Sequence, residues 1–285
     1  MTSPAVIAHR GYAGVAPENT VAAAETAARH DETAMLEIDV QPAACGTPVV
    51  IHDERLEGDR VRDGRPLTDA SGFVREIPLE DLRSTRVLGT DETVPTLAEL
   101  LEAVPETVGV NVELKSPGTT GSGTTDLRFS ESLPTETARN EHRAVWKPFV
   151  ERVVAACDAF DGELLFSSFY EGALAALRAV APRYAAATLV WDDLEAGLET
   201  ARRYDCEAIH PPRNAIDGTA LADTAYAGFD ETPPEIDVLE EAHAAGRTVN
   251  VWTATNWHQF EALANAGVDG IIADYPGLGA CSSAR

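Results

Sequence analysis

Short apolar runs alternate with amphipathic stretches along the whole chain. The candidate strands are VIAH (5–8), MLEIDV (35–40), PVVIH (48–52), VGVNVEL (108–114), ELLFSS (163–168), YAAATLV (184–190), EAIH (207–210), RTVNVW (247–252) and GIIA (270–273). Helices are predicted at 18–30, 96–104, 144–159, 170–180, 193–203, 234–245 and 256–266. This alternation is typical of βα units around a parallel sheet, so the sequence predicts an α/β fold.

Two of the nine predicted strands are too close in sequence to be parallel neighbours. Only QPAACGT separates EIDV from PVVIH, whereas a parallel crossover needs about a dozen residues. We therefore expect an antiparallel hairpin with its turn around Ala44–Gly46, which places Asp39 roughly opposite His52. Eight parallel strands remain, and eight is the number that closes a barrel. The sequence predicts a distorted (α/β)8 barrel of the TIM type.

Two long stretches interrupt the alternation of strands and helices. Residues 54–95 are polar and are predicted to hold a short helix near 78–83. Residues 116–142 are rich in Gly, Ser and Thr and have no clear period, so a long loop is expected there. A lid over the site and a disordered segment are both open explanations of this loop. We expect residues 1–285 to form a single barrel domain with these two insertions.

The charge balance is strongly acidic, with 47 acidic against 22 basic side chains and a net charge of −25. Such a charge repels phosphate backbones and anionic membranes, which argues against a nucleic-acid partner and against stable membrane association. The basic residues are 20 arginines and two lysines, Lys115 and Lys147. This depletion of lysine resembles a surface adapted to high salt, which would screen the self-repulsion. An ordinary acidic surface is the alternative.

The cysteines and the amino-terminal residues indicate the cellular compartment. Cys45, Cys157, Cys206 and Cys281 are scattered without a CxxC pair, so they are interpreted as reduced thiols. The first residues lead directly into a strand without the pattern of a signal peptide, and the chain has no apolar run long enough to cross a bilayer. A cytoplasmic location is expected.

Charged and polar side chains follow the ends of four predicted strands. They occur in His9-Arg10-Gly11, Glu37-Ile38-Asp39, His52-Asp53 and Glu113-Leu114-Lys115. Residues two apart on a strand face the same side. Such charges inside a barrel are costly unless they are paired or bind a metal. The carboxyl ends of barrel strands form one mouth, so these groups are expected to converge there.

The residue types at this mouth suit the hydrolysis of a phosphodiester. Three carboxylates, Glu37, Asp39 and Glu113, form a hard oxygen site for one divalent metal, either Mg²⁺ or Ca²⁺, with Mn²⁺ as a further candidate. Two cations, Arg10 and Lys115, are predicted to bind the phosphate. Two histidines, His9 and His52, are candidates for the catalytic acid and base, because imidazole titrates near neutral pH.

Several of these residues also have structural explanations. A histidine at a strand end is often a core residue bonded to backbone, and Glu37 and Asp39 could form a buried ion pair with Arg10. Glu18 and Asn19 are predicted to cap the first helix rather than to contact the site. Three residues are candidates for the pocket wall: Trp252, His210 and Phe169. A tryptophan in the core and a histidine that faces away from the site are equally compatible with the sequence.

The motifs together resemble a known family. The runs, in this order, are HRGYAGVAPENT, EIDVQ, VVIHD, VELK, FSSF, VWTATN and GIIADYP, and they span residues 7–276. They are similar to the glycerophosphodiester phosphodiesterase family. The resemblance implies a distorted (α/β)8 barrel that cleaves a small-molecule glycerophosphodiester into glycerol phosphate and an alcohol. It implies metal ligation by Glu37, Asp39 and Glu113 and acid–base roles for His9 and His52.

The resemblance also implies a mechanism. The substrate's glycerol hydroxyl attacks phosphorus with one histidine as base, the other histidine protonates the leaving alcohol, and water opens the cyclic phosphate. Two alternatives remain. A related phospholipase of the same barrel group, phospholipase-D-like or phosphatidylinositol-cleaving, would need an apolar rim facing the membrane. A non-catalytic binding protein would be expected to have lost at least one site group. The sequence leaves the oligomeric state and the leaving alcohol open.

Overall fold

A closed sheet forms the centre of the computed structural model, which describes residues 3–58, 64–118, 127–229 and 235–279. Its strands are β1 (Ala5–His9), β2 (Thr33–Pro42), β3 (Pro48–Val50), β4 (Gly109–Leu114), β5 (Leu164–Ser168), β6 (Ala185–Leu189), β7 (Ala208–His210), β8 (Thr248–Ala254) and β9 (Gly270–Ala273). The helices are α1 (Val21–Ala28), α2 (Leu79–Leu82), α3 (Leu97–Glu102), α4 (Glu136–Cys157), α5 (Glu171–Val180), α6 (Leu194–Arg203), α7 (Val238–Ala244) and α8 (Trp257–Ala266). All nine predicted strands are confirmed.

The order of the strands is that of an (α/β)8 barrel. Strands β1, β2, β4, β5, β6, β7, β8 and β9 follow one another in parallel, and β1 pairs with both β2 and β9 to close the ring. Strand β3 pairs antiparallel with the end of β2. The predicted barrel with a hairpin after its second strand is therefore confirmed, and the carboxyl ends of its eight parallel strands form one mouth.

The register of the hairpin differs from the prediction by one residue. Val40 pairs with Val50 and Pro42 with Pro48, and the backbone N–H of Ile51 donates to the carbonyl of Asp39 at 2.9 Å. Asp39 therefore lies opposite Ile51, and His52 lies beyond the end of β3. The turn lies where it was predicted, because a bond from the Ala43 N–H to the Thr47 carbonyl closes a loop centred on Cys45.

Apolar residues inside the barrel support the polar residues at its mouth. Side chains of the inner cluster include Ile7 on β1, Met35 on β2 and Leu165 on β5. The residues two positions further along β1 and β2 are His9 and Glu37, and they share the inward face because side chains alternate along a strand. The inner cluster thus forms the floor beneath the mouth. A larger cluster packs the outer face of the sheet against the helices.

The described residues of the first predicted excursion, 54–58 and 64–95, pack around an apolar cluster of their own. This second cluster includes Leu56, Leu67, Val74 and Leu82. Strand β3 joins it to the barrel, because Val49 and Ile51 belong to the second cluster, whereas Val50 belongs to the main core. Helix α2 confirms the short helix predicted near 78–83.

The second predicted excursion, 116–142, is partly helical. Helix α4 begins at Glu136, and the side chain of Thr135 caps it by accepting a bond from the Ala138 N–H. The prediction of a loop up to residue 142 was wrong, because the polar residues 136–142 occupy the first two turns of a helix that buries His142 and Trp146. Residues 119–126 of this stretch lie outside the described residues.

Three described cysteines, Cys45, Cys157 and Cys206, are free thiols, and Cys281 lies outside the described residues. Within the described ranges, no helix combines the length and the apolar character needed to cross a bilayer. That residues 1–285 form one domain stays a prediction.

Candidate active site

A cavity of about 460 Å³ opens at the mouth of the barrel. Six of the seven residues predicted to carry the chemistry line it: His9, Arg10, Glu37, His52, Glu113 and Lys115. The seventh, Asp39, is 1% exposed and lies behind this wall, where it contacts Arg10 and Lys115. The structure thus brings together the residues that the sequence places at four separate strand ends.

The segment after β1 turns sharply so that Arg10 can reach the carboxylates of β2. Arg10, Gly11 and Tyr12 all have positive φ angles, of 51°, 78° and 63°. The Arg10 backbone N–H donates to Glu37 Oε2 at 3.1 Å, and its Nε lies 3.2 Å from Asp39 Oδ2. One residue therefore contacts two carboxylates, through its backbone and through its side chain.

Replacing Gly11 with alanine is expected to destabilise the protein by more than the conformation alone would cost. The left-handed φ costs about 1–2 kcal/mol for a residue with a Cβ. A Cβ at Gly11 would also lie 2.6 Å from Ala23 Cβ and 2.7 Å from its carbonyl carbon, and overpacking adds roughly 1–3 kcal/mol. Urea unfolding measures the loss. The control is Gly89→Ala, because Gly89 has a φ of 67° and no atom near its Cβ position; equal losses would contradict the close approach.

The three predicted metal ligands form a buried cluster. Ligand oxygens of Glu37, Asp39 and Glu113 all lie within 4.8 Å of one another, and all three residues are buried. Burial and the neighbouring charges of Asp39 and Glu113 raise the pKa of Glu37 well above its usual value. Burial similarly raises the pKa of Glu113 to about 7, although Lys115 opposes this shift. The cluster therefore carries more negative charge than its surroundings stabilise.

The two cations near these carboxylates neutralise part of this charge. Lys115 Nζ lies 3.0 Å from Asp39 Oδ1 and 2.5 Å from Glu113 Oε1. Arg10 contacts Asp39 and also a fourth carboxylate, that of Glu18, at 2.8 Å. Burial opposes ionisation of Asp39, but the charges of Lys115, His52 and Arg10 hold its pKa well below the usual value. Four carboxylates against two cations leave a formal charge of −2, which one divalent cation would neutralise.

The spacing of the carboxylates also fits such a cation. Oxygen ligands on opposite sides of Ca²⁺ lie about 4.6–5.2 Å apart, and those of Mg²⁺ lie about 4.0–4.2 Å apart. The ligand oxygens of the three residues lie within 4.8 Å of one another, so they are close enough for one ion to contact all three. Carboxylate oxygens are the donors that both ions prefer.

Each of the two histidines is held by an aspartate. His9 Nδ1 lies 2.6 Å from Asp274 Oδ1, and His52 Nδ1 lies 2.5 Å from Asp53 Oδ1. An ionised carboxylate only accepts hydrogen bonds, so each imidazole donates from Nδ1 and keeps Nε2 for another partner. Desolvation and the charges of Arg10 and Lys115 lower the pKa of His52 to about 4, so its ring is neutral at neutral pH.

Sequence reasoning missed the residues that hold the site in place, and it misassigned two of them. Glu18 and Asn19 do not cap α1; Thr20 does, by accepting a bond from the Ala23 N–H. Glu18 instead accepts a bond from Arg10. Asn19 donates to Asp39 Oδ2 at 2.8 Å and accepts from the Asp39 N–H at 3.2 Å. The run PENT therefore supports the site, because its Glu18 contacts Arg10 and its Asn19 contacts Asp39.

A buried glutamine fixes the segment that carries His52. Gln41 Nε2 lies 3.0, 2.9 and 2.8 Å from the carbonyl oxygens of Ile51, His52 and Asp53. The only sign of this role in the sequence is that Gln41, a polar residue, ends the strand run EIDVQ, where an apolar residue would be expected. Asp53 and Asp274 are likewise visible in the runs VVIHD and GIIADYP, but neither run shows which histidine its aspartate contacts.

Aromatic side chains form the cavity wall beside the charged groups. Phe169 and Trp252, both candidates from the sequence, line the cavity together with Trp191 and Tyr226. The third candidate, His210, does not. It is fully buried, its Nε2 lies 3.0 Å from Asn250 Nδ2, and burial lowers its pKa to about 3. Trp252 lies beside His210, since its ring lines the cavity wall and donates to the His210 carbonyl at 2.9 Å.

Comparisons with known proteins identify the family of this chain. The family model of the glycerophosphoryl diester phosphodiesterase family matches residues 9–278. A glycerophosphodiester phosphodiesterase of Bacillus altitudinis is 26% identical over 279 residues, which are 95% of this chain and 94% of that protein. The protein YhdW of Bacillus subtilis is 38% identical over 116 residues, which are 39% of this chain and 44% of its own length.

A solved structure shows the same fold. It is a phosphodiesterase of Oleispira antarctica in complex with the product sn-glycerol-3-phosphate, 28% identical, with a TM-score of 0.70 over 96% of this chain and 94% of that one. The match of the family model over nearly the whole chain, together with the converged site, shows that this chain belongs to the glycerophosphoryl diester phosphodiesterase family and is a phosphoric diester hydrolase.

Proposed function

We propose that this enzyme hydrolyses glycerophosphodiesters to glycerol phosphate and an alcohol with one divalent metal ion and two catalytic histidines. The observation that carries this proposal is the convergence, around one cavity, of a carboxylate cluster, the two cations Arg10 and Lys115, and two histidines held by aspartates. Each group has a role in phosphodiester cleavage, and family membership supports the reaction class.

The residues that would hold the metal are Glu37, Asp39 and Glu113. A bound Mg²⁺, Ca²⁺ or Mn²⁺ would supply positive charge that stabilises the phosphate oxygens as charge builds up on them. It would also offset the formal charge of −2 in the cluster, so the anionic substrate would not meet a repulsive site.

Arg10 and Lys115 would bind the phosphate. Both side chains line the cavity, and each is already fixed by contacts with buried carboxylates. Donors that are fixed in advance need no reorganisation during the reaction, which makes their stabilisation of the transition state more effective. Arg10 contacts carboxylates through Nε and Nη1, so its Nη2 would donate to a phosphate oxygen, and the ammonium of Lys115 would act as a compact charge.

The two histidines would move the protons. The glycerol hydroxyl of the substrate gives its proton to Nε2 of one histidine and attacks phosphorus, while the other histidine protonates the oxygen of the leaving alcohol. Water then opens the resulting cyclic phosphate with the two proton transfers reversed. Asp53 and Asp274 would keep each ring in the required tautomer, as a buried aspartate does for a catalytic histidine elsewhere.

Metal-free protein is expected to release no glycerol phosphate from glycerophosphocholine or glycerophosphoethanolamine until a divalent ion is added. The reason is the uncompensated charge of the carboxylate cluster. The assay adds Mg²⁺, Mn²⁺ or Ca²⁺ separately, at low and at high salt, and measures glycerol phosphate. Chelator-treated samples without added ion are the control. Equal release without metal would contradict the metal's role, and no release with any ion would contradict the proposed function.

A further inference from the structure

A second cavity, of about 410 Å³, lies in the outer layer of helices. It is formed by α4, α5 and the end of α6, and we call it the helix groove. It shares no described residue with the cavity at the mouth of the barrel. Four of the nine described residues that line the groove are arginines: Arg139, Arg143, Arg178 and Arg203. The whole chain has 20 arginines among 285 residues and a net charge of −25, so the groove is unusually rich in cations for this protein.

Two of the four arginines hold the groove in shape. Arg178 donates to three backbone carbonyl oxygens before β6 and β7, at 2.7–2.8 Å, and to Glu207 at 2.7 Å. Arg203 donates to the buried Glu171 at 2.7 Å and also pairs with Glu199. Both guanidinium groups therefore have carboxylate partners, and their contacts fix the ends of α5 and α6.

The other two arginines, Arg139 and Arg143, lack carboxylate partners. They lie one turn apart on α4, so their side chains are neighbours on one face of the helix. Arg139 uses Nη1 to donate to the Leu133 carbonyl at 2.9 Å. In the part of the chain that the structure describes, neither arginine forms an ion pair, although Glu136 lines the same groove. Most of their N–H donors are thus available to a ligand.

Small residues on the facing helix leave space for such a ligand. Ala175 and Ala179 of α5 line the groove, and their side chains end at Cβ, so the volume beside the two guanidinium groups stays open. A cavity of about 410 Å³ falls within the range of roughly 300–1,000 Å³ that is typical of sites for small molecules. The helix groove therefore combines the size and the donors of a binding site.

The charges in the groove indicate the chemistry of the ligand. A guanidinium presents its N–H donors in a planar fork that matches the oxygens of a phosphate group. Salt screens the distant acidic surface more than it weakens direct contacts, so a local attraction for anions remains. This attraction grows with the charge of the ligand, whereas the entropic cost of binding does not. A ligand with several negative charges is therefore favoured over a single carboxylate.

We propose that the helix groove binds a small molecule with a diphosphate group, held by Arg139 and Arg143. Residues four apart on a helix have Cβ atoms about 5–6 Å from one another, so each guanidinium can bind one of two linked phosphates. Neither arginine lines the cavity at the mouth. The groove is thus a binding site separate from the site of hydrolysis.

Titration calorimetry with pyrophosphate tests the proposal. The protein is used free of metal, because pyrophosphate itself binds divalent ions, and at one fixed ionic strength. We expect the wild type to bind pyrophosphate and Arg143→Ser to bind it about tenfold or more weakly, which corresponds to the loss of one charge-assisted hydrogen bond. Arg143 is exposed and makes no hydrogen bond to a described residue, so thermal unfolding should show an unchanged fold.

The matched control is Arg29→Ser, which removes one positive charge elsewhere. The Arg29 side chain is 65% exposed and lies 3.5 Å from Glu25, at the end of α1 and outside the groove. If the groove binds the ligand through direct contacts, this variant should bind pyrophosphate as tightly as the wild type. Equal weakening in both variants would mean that the total charge of the protein, not the groove, governs binding, and would overturn the proposal.

Two further results would also overturn the proposal. One is a wild type that does not bind pyrophosphate. The other is equal affinity of the wild type and Arg143→Ser, which would place the bound pyrophosphate at another site, such as Arg10 and Lys115 at the mouth. Weaker binding in Arg143→Ser with unchanged binding in Arg29→Ser supports the groove as the site.

Discussion

Replacing His52 with alanine lowers kcat on glycerophosphocholine by about 10²- to 10⁴-fold, the usual contribution of a positioned acid or base. His52 lines the cavity, its Nδ1 is held by Asp53, and its lowered pKa of about 4 keeps the ring neutral and able to accept a proton. Steady-state kinetics of glycerol phosphate release measures the loss, with metal in excess so that occupancy of the metal site does not change.

The matched control is another histidine–aspartate pair. His243 Nε2 lies 2.7 Å from Asp269 Oδ2 on the exposed surface, so His243→Ala should leave kcat within about twofold of the wild type. A small effect of His52→Ala, similar to that of His243→Ala, would remove His52 from the mechanism. Repeating the assay with a nitrophenyl leaving group on His52→Ala and on His9→Ala identifies the acid. A good leaving group needs no protonation, so it restores the activity only of the variant that lacks the acid.

Replacing Glu37 with glutamine abolishes the response to metal while leaving the metal-free protein at least as stable as the wild type. The raised pKa of Glu37 shows that the folded protein disfavours its charged form, so this carboxylate lowers stability at neutral pH, and a neutral side chain removes the repulsion. Glutamine still offers an oxygen to the Arg10 N–H, which now bonds Glu37. Metal at about 100 times its Kd should stabilise the wild type by about 2.7 kcal/mol and the variant far less.

Thermal unfolding with and without metal measures this difference, and activity should be lost in the same variant. Glu171→Gln is the control, because Glu171 is equally buried but is paired with Arg203 at 2.7 Å and with the Tyr204 hydroxyl at 2.8 Å. Its replacement should destabilise the metal-free protein by roughly 1–3 kcal/mol and leave the response to metal intact. If Glu37→Gln still responded fully to metal, Glu37 would not be a ligand.

The barrel and the convergence of its charged residues could be predicted from local sequence. The alternation of apolar runs gave the strands, and the short QPAACGT segment required a hairpin because a parallel crossover cannot be that short. Charges such as those of Glu37 and Glu113 at strand ends are too costly to bury singly, so their convergence followed from the topology. Their roles in catalysis stay predictions, as do the cytoplasmic location and the absence of a nucleic-acid partner.

What the sequence could not show are contacts between distant residues. Nothing local connects Asp274 with His9, which lies 265 positions earlier, and Asn19 has the residue type of a helix cap although it bonds Asp39. The start of α4 was missed because residues 136–142 are polar and show no apolar period. Such a stretch can still be helical when apolar residues of the same helix, such as Trp146, are buried.

His52 lies beside the excursion after β3. It follows by two residues the end of β3, where Val49 packs into the second apolar cluster and Val50 into the main core. Its carbonyl is bound by Gln41 of the barrel, and its ring by Asp53, the last residue before the excursion. Proteins open in cooperative parts as well as globally. If His52 has the catalytic role proposed above, opening of the excursion alone would withdraw it from an otherwise intact barrel and would stop the reaction while most of the secondary structure stays unchanged.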